Sequence, residues 1–525
     1  MSSVYTKPEI SIVIGSYNRS QMLQKCIDLI RRELASVNHE IIVVDGGSSD
    51  GALEWLVQQK DIVTIVQHNR GEWLGKKIER KPWAYFMNLA LKSASAQKVC
   101  MLSDDSFIFP GAILNGMKKF DEESQRVKLG AVPFYFRDFP VRKRFSTAIN
   151  LGKLYLNHGI YNKDALEEVG YIDEDYYFYF ADTDLVFKMY QKGFHCIASE
   201  KSLVEHIFEA TPEIRASNND EKKIRDRQKL IDKWCGIIYE EKDREHYEKF
   251  VGRWNPHPEM HPCGYDYALT KELTCFSLGL SVEQSKWISI VTVSHNNKAG
   301  LIRTLNSIRK LNYPLIQWIV IDRASTDGTP EYLSRVKDYI DVHVSESDEG
   351  SYYSMNKGLG YAYGDYVMFL NAGDEFYDEN TLSTAVEKIS QIGKDTIFYG
   401  DHIEASGGAE RYVEALPLED LARKMPYKQQ AAFFPKSAIE KFKYQPQYKV
   451  AADYDLCVRL FKAGYEFKYA NFPVAKVFED NKGVLGISHT LDLLKIQFDN
   501  FDEKQVLESS VYYRNFLNDM NKRDR

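Results

Sequence analysis

The chain has 525 residues, 44% of them hydrophobic and 27% charged, which is enough for two or more globular domains with cores of their own. Its net charge of −7 argues against general nucleic-acid binding, and its seven scattered cysteines contain no Cys-x-x-Cys pair, which argues against a structural zinc site or a disulfide framework. The sequence predicts neither a signal peptide nor a transmembrane helix, so we expect a cytoplasmic protein.

The first predicted elements are an apolar strand, an amphipathic helix and a second apolar strand that ends in a polar turn. The strands are SIVIGSYNR at 11–19 and EIIVVDGGSSDGALEWL at 40–56. The same series returns as SIVTVSHNN at 289–297 and QWIVIDRASTDGTPEYL at 317–333. The chain therefore begins to repeat itself after its first half.

Two later segments repeat in the same order. KVCMLSDDSFIFPGAI at 98–113 matches DYVMFLNAGDEFYDENTL at 365–382. YYFYFADTDLVFKMYQKGF at 176–194 matches YKVAADYDLCVRLFKAGYEF at 448–467. Because all the landmarks recur at spacings of about 270–280 residues, the sequence predicts two copies of one domain.

Each copy alternates strands and helices, and the strands are apolar without polar alternation. This pattern predicts an α/β fold with a mostly parallel sheet covered on both faces, whose ligands bind at the carboxyl ends of the strands. We expect domains at 1–210 and 285–488, a helical linker at 211–284 that packs the copies against each other, and a helical tail at 489–525. The tail is expected to pack on the second domain, with a partner or a membrane surface as alternatives.

Carboxylates follow the second strand of each copy. Asp45 and Asp322 are placed to accept a hydrogen bond from a base or a ribose, and an Asx turn is the alternative. Asp50 and Asp327, further along the same turns, are predicted helix caps.

An acidic turn follows the third strand of the first copy. Asp104 and Asp105 are oxygen ligands of the kind that Mg²⁺ or Mn²⁺ uses together with diphosphate, and a polar surface turn is the alternative. The second copy keeps Asp374 but has Asn371 in the turn, which predicts weaker metal binding. His206 is either a nitrogen ligand of the same metal or a structural histidine.

Two aspartates begin a predicted helix in each copy. We assign Asp182 and Asp453 as general bases for an acceptor hydroxyl, since two aspartates only two residues apart are not both needed as caps. Their neighbours Asp184 and Asp455 are the expected caps.

SIVIGSYNR, VVDGGSSDG, LSDD and ADTDL resemble the successive motifs of family 2 glycosyltransferases with the GT-A fold, and the second copy is similar to the same family. The tandem arrangement resembles bifunctional polymerases of bacterial capsules. The resemblance implies inverting transfer from UDP-sugars with Mn²⁺ or Mg²⁺, Asp105, His206 and Asp374 holding the metal. It implies that the nucleotide sugar is held by Ser16, Tyr17, Arg19, Asp45, Asp104, Ser294, Asn296, Asp322, and Asn356 and Lys357 of an MNKG turn.

Three functions are compatible with these motifs to different degrees. The first is a bifunctional enzyme that extends a capsule or O-antigen glycan on a polysaccharide or lipid-linked acceptor, with peripheral membrane association left open. The second is one active domain beside a degenerate domain that binds acceptor. A dinucleotide-dependent oxidoreductase is disfavoured, because the turns after the first strands, GSYNRS and VSHNNK, lack the Gly-x-Gly-x-x-Gly fingerprint.

Overall fold

The computed structural model describes residues 6–69, 72–138, 142–207, 219–242, 244, 252–254, 267–393, 395–478 and 487–523. The chain divides into two compact units, Met1–Met260 and His261–Arg525, and each is described by itself.

The first unit alternates strands and helices from its start, as the sequence predicts. Its elements are β1 (Ile10–Ser16), α1 (Ser20–Glu33), β2 (His39–Asp45), α2 (Ala52–Leu56), β3 (Ile62–Val66), β4 (Glu72–Trp73), β5 (Lys76–Lys77), α3 (Trp83–Ser93), β6 (Lys98–Ser103), β7 (Ser106–Ile108), α4 (Ala112–Ser124), β8 (Leu129–Asp138), β9 (Thr147–Asn150), β10 (Lys153–Tyr155), β11 (Gly159–Asn162), α5 (Lys163–Val169), α6 (Ala181–Gln191), β12 (His195–Cys196), β13 (Ser199–His206), α7 (Asp220–Trp234) and β14 (Gly252–Trp254).

The central sheet of the first unit has the strand order β3-β2-β1-β6-β11-β8-β13-β7. Strands β3, β2, β1 and β6 run parallel, and β11 is antiparallel to both of its neighbours. In register, Ser16 lies opposite Asp45, and Gly15 lies opposite Ser103. The carboxyl ends of β1, β2 and β6 therefore meet at one edge, where the predicted site residues collect.

The second unit also alternates strands and helices. They are α8 (Tyr267–Ser277), β15 (Ile288–Ser294), α9 (Lys298–Arg309), β16 (Ile316–Asp322), α10 (Thr329–Val336), β17 (Val342–Ser345), α11 (Ser351–Leu359), β18 (Tyr366–Phe369), β19 (Glu375–Phe376), α12 (Thr381–Ile389), β20 (Ile397–Ser406), β21 (Ala409–Val413), β22 (Ala432–Pro435), α13 (Lys436–Phe442), α14 (Ala452–Lys462), β23 (Phe467–Phe478), α15 (Ile487–Asn500), α16 (Glu503–Ser509) and α17 (Val511–Arg523), with short 3₁₀ helices at Lys337–Tyr339, Leu418–Ala422 and Gln429–Ala431.

The second sheet repeats the first, with the order β17-β16-β15-β18-β22-β20-β23-β19. Each strand has a counterpart at the same place in the first sheet, and Ser294 lies opposite Asp322 as Ser16 lies opposite Asp45. The prediction of two tandem α/β domains with mostly parallel sheets is confirmed.

Helix α7, in the predicted linker, packs on the first unit. Leu230, Ile231 and Trp234 are buried in its hydrophobic core. The indole Nε1 of Trp234 donates to Asp184 Oδ1 at 2.8 Å, and Lys233 Nζ lies 2.9 Å from Asp184 Oδ2. Asp184 therefore anchors α7, and its expected role as a helix cap is wrong. Packing of the two copies against each other by the linker stays a prediction.

Asp226 on α7 holds the segment that leads into α6. Its buried carboxylate accepts hydrogen bonds from three consecutive backbone N–H groups, those of Tyr177 (3.1 Å), Phe178 (2.9 Å) and Tyr179 (3.0 Å). An ionised carboxylate can satisfy this many donors because each of its oxygens accepts two bonds. The course of the chain just before α6 thus depends on a residue of the predicted linker.

We expect Asp226→Asn to loosen this segment, because the amide places an NH₂ group against N–H donors. The lost hydrogen bonds are worth about 3 kcal/mol, which corresponds to about 100-fold faster amide exchange of residues 177–179. Hydrogen–deuterium exchange of the full chain measures it. Asp232→Asn is the matched control, since Asp232 lies half-exposed on the same helix. Equal exchange in wild type and Asp226→Asn would contradict the assignment.

The C-terminal tail is helical and packs on the second unit. Leu493 and Ile496 of α15 belong to its hydrophobic core, and Gln497 Nε2 donates to the carbonyl of Ala422 at 2.6 Å. The ring of Tyr512 packs edge-on against a core tyrosine of α14. Among the described residues, no helix is long and apolar enough to cross a membrane.

Candidate active sites in the two units

The turns after β1 and β2 are tied together in the same way in both units. Asn18 adopts a left-handed conformation (φ 49°); its N–H donates to Ser48 Oγ, and its Oδ1 accepts from the N–H of Ser49, both at 2.8 Å. Asn296 has φ 47° and makes the same pair of bonds in the second unit. The Oδ1 of Asn296, expected to face the nucleotide sugar, is therefore engaged within its own turn.

The carboxylates at the ends of β2 and β16 are buried and organise these turns. Asp45 accepts from the backbone N–H and the hydroxyl of Ser48, both at 2.7 Å. Asp322 accepts from the same two groups of Ser325 and from Ser345 Oγ. Both carboxylates thus hold their turns together, which is the Asx-turn role given above as the alternative. Their contact with a nucleotide stays a prediction.

Asp50 and Asp327 cap helices, as predicted. Asp50 accepts from the N–H of Ser20 at 2.7 Å and from that of Ala52 at 3.2 Å, the first residues of α1 and α2. Asp327 accepts from the N–H of Lys298, the first residue of α9, at 2.8 Å.

The acidic turn of the first unit is buried, which excludes the surface-turn alternative. Asp104 and Asp105 are only 3% and 5% exposed. Arg19 Nη1 bridges them, at 2.8 Å from Asp104 Oδ1 and 2.6 Å from Asp105 Oδ2. Ser16 Oγ donates to Asp104 Oδ2 at 2.9 Å, and the half-buried Tyr17 follows it in the turn. Four predicted site residues therefore form one contact network beside Tyr17.

Burial affects the two carboxyl groups of this turn differently. It raises the pKa of Asp104 to about 6, with a contribution from the negative charge of Asp105, although Arg19 acts in the opposite direction. Burial also disfavours ionised Asp105, but His206 and Arg19 together lower its pKa. Asp105 is thus the carboxylate that stays ionised.

His206 joins this network from the end of β13. Its Nδ1 lies 2.8 Å from Asp138 Oδ1, and its Nε2 lies 3.5 Å from Asp105 Oδ1. Burial opposes protonation of the imidazole, but Asp105 and Asp138 outweigh it and raise the pKa of His206 to about 9. A histidine that is held by a carboxylate at Nδ1 and presents Nε2 to another ligand is oriented as metal-binding histidines commonly are.

These residues fit a divalent cation in the first unit. Within the described ranges, no group of three or more His, Cys, Asp or Glu side chains is arranged to hold a metal by itself. A catalytic Mg²⁺ or Mn²⁺ needs fewer protein ligands, because phosphate oxygens of the substrate complete its coordination. Asp105 and His206 place a carboxylate and an imidazole next to each other, and this imidazole would lose its second proton on binding a cation. Their role as metal ligands stays a prediction.

The corresponding turn of the second unit lacks the charged pair of Arg19 and Asp104. Asn297 occupies the place of Arg19 and donates from Nδ2 to the carbonyl of Ala372 at 2.8 Å. Ala372 itself stands where Asp104 stands in the first unit. The hydroxyl of Ser294, the counterpart of Ser16, is buried and has no hydrogen-bond partner in the part of the chain that the structure describes.

Asp374 is the carboxylate that the second turn retains. Its Oδ2 accepts from Gln430 Nε2 at 2.9 Å and its Oδ1 from the N–H of Phe478 at 3.1 Å. Burial raises the pKa of Asp374 to about 6. The turn offers neither a second carboxylate nor a histidine in the position of His206, so its residues fit a divalent cation less well.

The proposed bases occupy equivalent positions at the start of α6 and α14. Asp182 is half-buried, and its Oδ1 accepts from the N–H of Thr183 at 2.8 Å. Asp453 accepts from the N–H of Tyr454 at 2.9 Å and from the hydroxyl of Tyr352 at 3.2 Å. Burial raises the pKa of Asp182 to about 6 and also raises that of Asp453, which favours proton acceptance.

Three expectations for the second unit need correction. Asp455 is not a cap, because its Oδ2 pairs with Arg459 one helical turn later at 2.7 Å.

Asn356 and Lys357 lie in helix α11, not in a turn. Both ends of the Asn356 amide bond the backbone of Tyr444 at 2.9 Å, so this side chain is structural and does not face a nucleotide sugar. Lys357 pairs with the exposed Glu346 at 2.7 Å, and its contact with phosphate stays a prediction.

Several residues that contact the predicted site residues were not predicted from the sequence. Asp138 orients His206, Gln430 holds Asp374, and Tyr352 donates to Asp453. Each lies 56 to 101 residues along the chain from its partner. Strand register pairs Asp138 with His206. Gln430 reaches its partner from a 3₁₀ helix, and Tyr352 reaches Asp453 from helix α11.

A family model described as Glycosyl transferase family 2 matches residues 11–181 and 289–439. An uncharacterized glycosyltransferase of Mycobacterium tuberculosis is 33% identical over 177 residues, which are 33% of this chain and 68% of the relative. A PGL/p-HBAD biosynthesis glycosyltransferase of Mycobacterium bovis is 29% identical over 178 residues, covering 33% and 69%. The amylovoran biosynthesis glycosyltransferase AmsB of Erwinia amylovora is 24% identical over 208 residues, covering 36% and 68%.

Solved structures also resemble the chain. S. aureus TarS in complex with UDP-GlcNAc is 14% identical, with a TM-score of 0.35, covering 44% of this chain and 71% of that one. The mannosyltransferase PcManGT from Pyrobaculum calidifontis in complex with GDP-Man and Mn²⁺ is 17% identical, with a TM-score of 0.32, covering 44% and 68%. Similarity at this level does not indicate which sugar donor or metal this chain binds.

Proposed function

Because the chain belongs to glycosyl transferase family 2, we propose that it is a bifunctional inverting enzyme that transfers sugars from UDP-sugar donors to a growing bacterial capsule or O-antigen polysaccharide. The observation that carries this proposal is the repeated carboxylate. Asp182 and Asp453 lie in the first turns of equivalent helices in the two units, and burial raises the pKa of both carboxyl groups. Relatives named for PGL/p-HBAD and amylovoran biosynthesis support a glycan acceptor.

In the first unit, the proposed reaction is a single displacement. Asp182 takes the proton of the acceptor hydroxyl, whose oxygen attacks the anomeric carbon from the face opposite the diphosphate. The bond between that carbon and the diphosphate oxygen breaks, and UDP leaves with the electron pair. A single attack from the opposite face inverts the anomeric configuration.

The acidic turn would hold the leaving group. Asp105 and His206 would bind Mn²⁺ or Mg²⁺, which supplies positive charge for the departing diphosphate. Ser16, Tyr17 and Asp45 line the edge where the nucleotide would lie, at the carboxyl ends of β1 and β2. The Nη1 of Arg19 holds both carboxylates in place before any ligand binds.

The second unit retains Asp453, but its turn keeps Asp374 without counterparts of Arg19 and Asp104. This observation supports a second candidate function, in which one unit is catalytic and the other binds the acceptor. For either candidate we propose a location on the cytoplasmic side of the membrane, where nucleotide sugars are made, and an acceptor that is a polysaccharide or is lipid-linked.

UDP release against a panel of UDP-sugars, with a glycan acceptor and with and without Mn²⁺, tests the assignment. We expect one or two sugars to give Mn²⁺-stimulated release that depends on acceptor. Absence of release with every donor would contradict UDP-sugar transfer. Release with GDP-sugars alone would retain the family and change the donor.

A further inference from the structure

The first unit has a cavity of about 320 Å³ that lies outside the donor site. It is formed by the loop before α3, the segment before α6 and the first turns of α7. Four of the lining side chains are basic and two are acidic: Arg80, Lys81, Lys222, Arg225, Glu174 and Asp175. The cavity therefore carries a formal excess of positive charge.

The acidic side chains of the cavity are already engaged. Glu174 Oε1 accepts from Asn88 Nδ2 at 2.7 Å, and Asp175 Oδ2 lies 3.5 Å from Lys229 Nζ. Arg225 is different, since within the described ranges it has no carboxylate partner, and its guanidinium carbon lies 3.9 Å from the centre of the Tyr177 ring. Stacking on a tyrosine restricts the guanidinium while leaving its N–H donors available.

The wall that carries Tyr177 is fixed and leads to the proposed base. Asp226 holds the backbone N–H groups of 177–179, and α6 with Asp182 follows within a few residues. A ligand group in this cavity therefore binds beside the segment that positions the base. The donor diphosphate has its own expected place, at the turn of Asp104 and Asp105.

We propose that this cavity binds a phosphate group of the acceptor, so that the first unit recognises a phosphate-bearing glycan or glycan carrier. The proposal rests on the proposed function, which makes Asp182 the residue that meets the acceptor. A phosphate monoester or diphosphate carries about two negative charges. Lys81 is already paired with Glu79 at 2.9 Å, so Arg80, Lys222 and Arg225 are the cations that would attract such a group. Arg225 can bind two phosphate oxygens at once with its planar fork of donors.

Binding of inorganic diphosphate to the full-length chain tests this proposal. Isothermal titration calorimetry in EDTA removes the metal that the donor site would use for diphosphate. We expect one equivalent to bind to the first unit and to remain bound in saturating UDP. Arg225→Gln should raise the dissociation constant for diphosphate about tenfold or more, and Arg225→Lys should raise it less.

Lys223→Gln is the matched control, because Lys223 is exposed on the same helix and does not line the cavity. It should leave diphosphate affinity unchanged. Three results would overturn the proposal: no binding, displacement of diphosphate by UDP, or equal weakening by Lys223→Gln and Arg225→Gln, which would indicate only diffuse charge. UDP-sugar turnover of the same samples is measured separately, so loss of the proposed function would be visible independently of this site.

Discussion

Asp182→Asn should abolish one of two sugar transfers and leave the other. Asparagine keeps the shape of the side chain but cannot take a proton at neutral pH, and loss of a general base costs about 10²–10⁴-fold in rate. Asp453→Asn should remove the other transfer. Product analysis with each donor sugar separately, followed by mass spectrometry of the extended acceptor, reads the two activities.

The two single variants also decide between the candidate functions. If Asp182→Asn removes all transfer and Asp453→Asn removes none, the second unit is not catalytic and the bifunctional proposal fails. A positive control lies in the pH profile: with the second unit inactivated, transfer should fall as the pH drops below about 6, because protonated Asp182 cannot act as a base. A rate that is flat between pH 5 and 8 would contradict its role.

Metal removal should affect the two units unequally. With Asp453→Asn, which isolates the first unit, EDTA should lower transfer about 10³-fold, since a bound cation is worth several kcal/mol to a departing diphosphate. Mn²⁺ should restore it. With Asp182→Asn, which isolates the second unit, the loss should be smaller, because Asn297 and Ala372 replace a charged pair of the first turn.

The matched variant for the metal experiment is Asp105→Asn. It should weaken Mn²⁺ binding to the full chain, measured by electron paramagnetic resonance of the free ion, without changing transfer by the second unit. Asp374→Asn should change Mn²⁺ binding much less. Equal EDTA sensitivity of the two isolated units would contradict the asymmetry of the turns.

The fold followed from the sequence because strand ends and turn residues repeat in order. Asp50 and Asp327 were identified as caps because a cap bonds groups close by in the chain. Asp184 was assigned wrongly for the opposite reason, since its partners lie on α7, about fifty residues away. Local pattern carries no information on such partners.

The same distinction applies to the sites. The sequence placed Asp104 and Asp105 together at the end of a strand, and the resemblance to the family added His206 as a ligand. It could not show that Nη1 of Arg19 bridges both carboxylates, which depends on side-chain geometry after folding. Asn356 looked like a ligand in a turn because a helix of nine residues with two tyrosines and a glycine has a weak helical signature.

Arg19 and Asp104 form a buried ion pair in the first unit, where the second unit has Asn297 and Ala372. This difference limits which substitutions each turn tolerates. Arginine introduced at 297 alone would lack a counterpart of Asp104, and aspartate introduced at 372 alone would lack a counterpart of Arg19. Half of a buried ion pair costs about 3–5 kcal/mol. A single substitution in either direction therefore passes through a less stable protein. Once a duplicated gene carries both changes, its descendants would keep the difference between the two turns.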